Sequence, residues 1–218
     1  MRAASSDCTP HLQAAFFERQ AEAVARELLG KVLAVTVDGV CAAGVIVETE
    51  AYLGADDPGS HAATKGVTPR NRVMYGPPAH AYVYFTYGTH HMLNLVTGPE
   101  GTAGAVLVRA LEPRTGLDAM RARRPGRTDT ELTNGPGKVA AALGVDLRHN
   151  GVPLGEDIRV YDVPVLRDGK VEISGRIGLS SGHEAPLRFF VADNGYVSRG
   201  RPGPRASRRS ATTDRETT

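Results

Sequence analysis

Glu48, Glu50 and Tyr52 alternate along the run VETEAYLG. In a regular strand the three side chains point to one side, because successive residues face opposite ways. Two acids on one face suggest general acid/base chemistry, in which a neighbouring carboxylate or an apolar wall raises one pKa. Residues two apart on one strand have Cα atoms only about 7 Å apart, too close to bracket a sugar from opposite sides. The spacing therefore favours one working carboxylate and counts against a sugar hydrolase. A solvated strand end is the ordinary alternative.

Arg109 interrupts GAVLVRALEP, a run otherwise apolar enough to be buried. A buried guanidinium needs a carboxylate or phosphate partner, and Glu48 or Glu112 could supply a structural one. Asn94 in HHMLNLV is similar: a buried amide must have partners, from backbone or ligand. Five of the seven tyrosines, Tyr52, Tyr75, Tyr82, Tyr84 and Tyr87, fall within 36 residues. Tyr82 and Tyr84 share one strand face, and Tyr87 lies beside Gly88, where a turn would project it outward. Such rings can stack on nucleobases at roughly 1–3 kcal/mol each, although tyrosines also favour strands without any ligand. His61, His90, His91 and His183 lack the spacing of zinc ligands, so no metal is expected. NGPGKV lacks the phosphate-loop pattern; Gly135, Gly137 and Lys138 offer at most a helix N-terminus for one backbone phosphate.

The elements that must position these groups are mostly strands. KVLAVTV and VCAAGVIVETEAY are joined by Asp38-Gly39, the dipeptide of a two-residue hairpin turn. AYVYFTYG and HHMLNLV form a second hairpin, GAVLVRALEP a further strand, and shorter strands fall near residues 158–163, 171–177 and 187–191. One helix is expected to end near Leu29, with Phe17, Ala21, Val24 and Leu28 on a stripe and Gly30 closing it. Others fall at 116–123 and 136–143, with RRPGRTDTELTNG between them as a mobile loop. The Gly- and Pro-rich loop from Gly54 to Pro78 is long enough to imply a purpose. The fold class is α+β: one compact domain on a curved, mainly antiparallel sheet with surrounding helices.

The 218 residues suit one generous domain, and a formal charge of +2 excludes a heavily basic nucleic-acid coat. That charge is divided unevenly. Residues 199–218 carry six arginines against two acids, so the remainder is net negative. This Pro-, Gly- and Ser-rich tail reads as disordered, either a loose hand for polyanions or a plain solvated terminus. Residues 1–13 read as a flexible N-terminus and 14–198 as the folded domain. Cys8 and Cys41 make neither a disulfide framework nor a metal site, and no signal-peptide or membrane-length apolar run occurs. The expected location is a reducing cytoplasm, with nucleoid association in a bacterium.

VETEAYLG, TPRNRVMYG, YVYFTYG, the Asn94 strand, LVRALEP, NGPGKV and PLRFFV occur in this order and at separations shared by one family. Across roughly residues 14–198 the chain resembles the alkyladenine (3-methyladenine) DNA glycosylases of the mammalian type. The resemblance implies a single-domain, monofunctional base-excision enzyme without metal or cofactor. It would flip alkylated or deaminated purines of the 3-methyladenine, hypoxanthine and ethenoadenine type out of double-stranded DNA and hydrolyse their glycosidic bonds.

By that resemblance Glu50 is the general base that aims a water at C1′, with Glu48 its structural neighbour. Arg109 helps position the water, and the backbone carbonyl of Val191 is its third holder. Tyr52 on one side and His61 with Tyr84 on the other sandwich the flipped base. Asn94 crowds the 2-amino group of guanine, and Tyr87 is the wedge that fills the vacated stack. The chain departs from the family at Thr89 and His90, where a larger apolar residue and an aromatic would stand, so its wedge is smaller and more polar. Arg70, Arg72 and Lys138 are candidates for the DNA backbone by position. No lysine lies in the pocket motifs to form a Schiff base, so lyase activity is not expected. The protein is expected to act as a monomer. The competing reading is a non-catalytic damaged-DNA-binding protein that retains the aromatic pocket.

Overall fold

A computed structural model describes residues 10–86, 88–163 and 170–203. Tyr87, most of the expected flexible N-terminus and the tail beyond residue 203 lie outside the described residues. The chain starts with two short helices, α1 (Ala14–Phe17) and α2 (Ala21–Glu27), rather than one continuous helix. Arg19 bridges the break: its Nε donates to the Phe16 carbonyl at 3.1 Å and its guanidinium forks onto Glu27 at 2.9 Å. Gln20 then runs extended and its carbonyl accepts the Val24 N–H, which starts a new helix. The apolar stripe survives, with Phe17, Ala21, Val24 and Leu28 all buried.

Strands β1 (Val32–Val37) and β2 (Val40–Tyr52) follow, joined as expected through Asp38 and Gly39, both at positive φ (51° and 77°). The long loop has its own structure: a helix α3 (His61–Lys65), capped by the Ser60 hydroxyl, and a 3-10 turn at Arg72–Tyr75. Next come the hairpin β3 (Ala81–Thr86) and β4 (His90–Val96), the strand β5 (Ala105–Thr115) and three helices, α4 (Leu117–Arg123), α5 (Asp129–Thr133) and α6 (Pro136–Leu143). The presence of α5 corrects the expected mobile loop. Thr128 and Glu131 form a reciprocal capping box there, and Leu132 is buried beneath it. Strands β6 (Ile158–Tyr161), β7 (Val171–Ser174) and β8 (Arg188–Val191) complete the chain.

The sheet runs β3-β4-β5-β2-β1-β6, and β8 pairs with β2 on one side and β7 on the other. Every strand pair among the described residues is antiparallel. The 13-residue β2 is the spine: β5 flanks one edge, while the other passes from β1 to β8 at Glu48. At that handover the β2–β5 register shifts twice, so that Val47 and then Arg109 stand without a cross-strand partner. Such irregularities bend strands and re-aim side chains. The result is a single α+β domain on a curled antiparallel sheet. Met120, Leu132, Val139 and Leu143 of the later helices share one core with Val24 of α2, with Leu28 just past its end, and with the sheet. Burial of each such side chain contributes about 1.5–3 kcal/mol. Both chain ends of the described part are tied in: Leu12 N–H donates to Val160 O at 2.7 Å, and Gly203 bridges Ile177.

Candidate active site

The bend in β2 brings Glu48, Glu50 and Tyr52 together with Arg109 of β5. Arg109 is 5 % exposed and sits between the two carboxylates. Its Nε donates to Glu48 Oε1 at 2.8 Å, its Nη1 lies 3.2 Å from Glu50 Oε2, and its Nη2 reaches the Ser198 hydroxyl at 3.3 Å. Burial alone would weaken the guanidinium as a base, but Glu50 and Glu48 outweigh it and raise its pKa. Arg109 is a fixed cation at every working pH.

The two carboxylates differ in what surrounds them. Glu48 is saturated: Arg188 Nε donates to it at 2.7 Å, and Ser198 donates through its backbone N–H at 2.7 Å and its hydroxyl at 2.8 Å. Burial would raise its carboxyl, yet Arg109 and Arg188 hold it below the usual range. Glu50 is also fully enclosed and has three donors: the Ile177 N–H on Oε1 at 2.7 Å, the Tyr52 hydroxyl on Oε2 at 2.9 Å, and Arg109. A carboxylate offers about four acceptor positions, so these three donors leave one unfilled. Burial, and then the Glu50 charge, push the Tyr52 hydroxyl well above its ordinary range, so it stays protonated as a donor.

Since its folded pKa is lowered, Glu48 contributes stability above the ordinary glutamate range and loses it as pH falls through and below that range. Glu48→Gln is expected to cost about 3–5 kcal/mol at pH 7, because two arginines lose their buried partner. Its urea-unfolding stability should also fall less than that of the wild type between neutral and acid pH. An equal fall in both proteins would refute this assignment.

In front of this cluster opens a cleft of about 690 Å³, lined by Tyr52, His61, Tyr84, Arg109, Lys138 and Ile177 among others. That is the size range of ordinary small-ligand sites. A side cavity of about 40 Å³ continues from it between Tyr52, His61, Tyr82 and Tyr84, with Asn94 on its wall. His61 and Tyr84 meet edge to face at 4.8 Å between centroids, and the Tyr82 hydroxyl lies 3.1 Å from His61 Nδ1. The long loop supplies His61, which accounts for its length. Asn94 is buried, and its amide donates to the Tyr82 carbonyl at 3.1 Å.

The other candidates divide. Lys138 lines the cleft beside Gly135 and Gly137, and its Nζ donates to Asn134 Oδ1 at 2.6 Å. Arg70 stands 4.8 Å over the Tyr84 ring, whereas Arg72 is exposed on the 3-10 turn, away from the cleft wall. Val191 lies next to β2 on β8 but packs with Val45, Val47 and Ala110 instead of lining the cleft, and its carbonyl accepts the Asn194 N–H at 3.4 Å. His90, one of the two departures from the family pattern, lines the cleft and touches α6: a Cβ on Gly137 would come within 2.9 Å of its ring. Among the described residues no group of three or more His, Cys, Asp or Glu is placed to hold a metal ion, and no helix is long and apolar enough to cross a membrane.

Sequence reasoning missed Arg124 and Arg127, which line the cleft with Lys138. Burial, then Arg127, lower the Arg124 pKa, and burial, then Arg124, lower that of Lys138. With only Glu131 among the described lining residues to offset three cations, this mouth stays net positive and favours an anion. The run RARRPGR was the available signal. It also missed Arg176, Asp57, Arg188 and Ser198, for which no local signal exists.

Residues 15–195 match the sequence profile described as methylpurine-DNA glycosylase. The chain is 46% identical to a Chlorobium luteolum protein over 189 residues, covering 86% of this chain and 96% of that one. It is 43% identical to a Chlorobaculum parvum protein over 206 residues, covering 94% and 98%. With a Burkholderia lata protein it shares 47% over 194 residues, covering 86% and 90%. All three are provisionally named 3-methyladenine DNA glycosylases.

Proposed function

Because the chain belongs to the methylpurine-DNA glycosylase family, we propose that its cleft hydrolyses the N-glycosidic bond of damaged purines extruded from double-stranded DNA. The observation that carries this reading is the buried Glu50 carboxylate, oriented by donors from Tyr52, Arg109 and Ile177, three residues that themselves line an aromatic, cation-rimmed cleft.

The reaction follows from these groups. The extruded base lies between Tyr52 and the His61–Tyr84 pair, and Asn94 borders its far edge, where the 2-amino group of guanine would be crowded. Lys138, Arg124 and Arg127 take the flanking phosphate. Glu50 accepts a proton as water attacks C1′; the new C–O bond forms while the C1′–N9 bond breaks and its electron pair leaves with the purine. The carboxylate also steadies the positive sugar in the transition state. Arg109 holds that carboxylate and helps to hold the water; the Val191 carbonyl could serve as third holder only by giving up its long 3.4 Å bond from the Asn194 N–H. A 3-methyladenine base is already cationic and leaves readily; hypoxanthine and ethenoadenine need a proton on the leaving ring, from solvent. Lys138 lines the cleft, but its amine is held by Asn134 at 2.6 Å and is assigned to phosphate and not to C1′, so the product is an intact abasic strand. Tyr87 is the wedge, while Arg70 and Arg72 belong to the DNA-facing surface. The catalytic unit is residues 14–198, to which Leu12 and Gly203 are also tied, acting as a monomer.

A panel of duplexes carrying single 3-methyladenine, hypoxanthine or ethenoadenine lesions tests this directly. Free base should appear, with strand breakage only after alkali, and borohydride should trap no protein–DNA adduct. Lesion-dependent binding without release of any base would instead identify a damaged-DNA-binding protein.

A further inference from the structure

Among the described residues Arg176 is the largest fully buried side chain. Arginine is rarely buried without partners, and here it forks onto Asp57: Nη1 meets Oδ2 at 2.6 Å and Nη2 meets Oδ1 at 2.5 Å. Nη1 also donates to the Ala51 carbonyl and Nη2 to that of Gly182, each at 2.9 Å. Asp57 in turn accepts the backbone N–H groups of Leu53 and Gly59 at 3.0 and 2.9 Å. Burial would raise the Asp57 carboxyl, yet the guanidinium keeps it below its usual range. The approach is so close that a Cβ on Gly59 would collide with Arg176 Nη2. One ion pair thus ties together the end of β2, the loop that leads to His61, and the segment that returns before β8.

Two of its contacts lead directly into the candidate site. The Arg176 guanidinium lies 4.9 Å from the centre of the Tyr52 ring. The next residue, Ile177, donates its backbone N–H to Glu50 at 2.7 Å. A buried ion pair is a poor way to gain stability, since well-packed apolar side chains do as well or better. A bidentate fork does fix direction, because both bonds must be made in one plane. The residues that follow, Ile177 to Leu179, form part of the cleft wall.

We propose that Arg176, clamped by Asp57, is the positioning residue of this site: it seats the Ile177 N–H on the Glu50 carboxylate and sets the plane of Tyr52. The proposal rests on the glycosylase reading and assigns Arg176 no contact with the reacting atoms. A displacement of about 1 Å in a reacting group costs about 10²-fold in rate, so a loose clamp should slow chemistry far more than it weakens DNA binding.

The test uses the lesion duplex that the full-length wild-type protein processes fastest. Arg176→Met is expected to lower the single-turnover release rate per active molecule by about 10²-fold. Affinity for a duplex carrying a tetrahydrofuran abasic analogue, which presents no base to stack, should stay within about threefold of wild type. Asp57→Asn keeps the Ala51 and Gly182 bonds and should slow release about tenfold. Arg176→Lys keeps the charge without the fork and should be no faster than Asp57→Asn. Should Arg176→Met fail to fold, the two milder variants decide.

A structural role alone would instead reduce the active fraction and leave the rate of each active molecule unchanged, which would overturn the proposal. So would full rescue by lysine, or abasic-duplex affinity falling in step with rate. A wild type that releases no base would overturn the glycosylase reading and this proposal together, whereas an active wild type with unimpaired variants overturns this proposal alone.

Discussion

Exchanging Glu50 for Gln is expected to slow single-turnover base release by about 10²–10⁴-fold, the contribution of a positioned general base, while leaving lesion-duplex affinity within a few-fold. The size of the effect follows from what the amide keeps and loses. Its carbonyl oxygen can still accept the Ile177 N–H, and Arg109 keeps Glu48 as partner at 2.8 Å. The amide nitrogen that replaces Oε2 no longer accepts from the Tyr52 hydroxyl or faces Arg109 as an anion, and the capacity to take a proton from water disappears. Rate and affinity measured on the same preparation check this: parallel loss would mean the pocket had collapsed, and unchanged release would remove Glu50 from the mechanism.

Arg109→Met is expected to carry a stability penalty as large as that of Glu48→Gln. Methionine fills much of the space but leaves Glu48 and Glu50 enclosed without the cation between them. Removing one partner of a buried pair costs about 3–5 kcal/mol. In a chain of this size that lowers the melting temperature by roughly 6–20 °C. The pH dependence distinguishes charge from packing. In the wild type the depressed Glu48 carboxyl contributes stability above the ordinary glutamate range and loses it on acidification. In the variant, enclosed carboxylates without Arg109 are relieved by protonation, so the deficit against wild type should narrow as pH falls. A deficit of constant size from pH 7 to pH 4 would show that only packing had been lost.

Much of this was legible locally. The Asp38-Gly39 hairpin and the strands around it rest on two-residue turn chemistry and apolar runs, which act over a few neighbours. The alternation of Glu48, Glu50 and Tyr52 placed two acids and a hydroxyl on one side, and the bend in β2 preserved that grouping. Arg109 in an apolar run announced a buried pair, and Glu48 was one of two partners foreseen; Glu112 instead pairs with Arg114. Local reading failed where a side chain overrode periodicity. An apparently continuous helix is broken where Arg19 bonds back to Phe16, and the Thr128–Glu131 box caps α5 in a stretch rich in turn residues.

By itself the sequence determined most of the strand and helix pattern and the family resemblance, and it singled out the acid, the arginine and the rings as candidates, because each is carried by residues close together in the chain. Tertiary structure alone decided how the two carboxylates differ. Glu48 is saturated by Arg188 and Ser198, 140 and 150 residues away, while Glu50 takes its backbone donor from Ile177, 127 residues away. The Asp57–Arg176 clamp spans 119 residues. Contacts of that range depend on how a curled sheet closes on itself, and no local spacing encodes them.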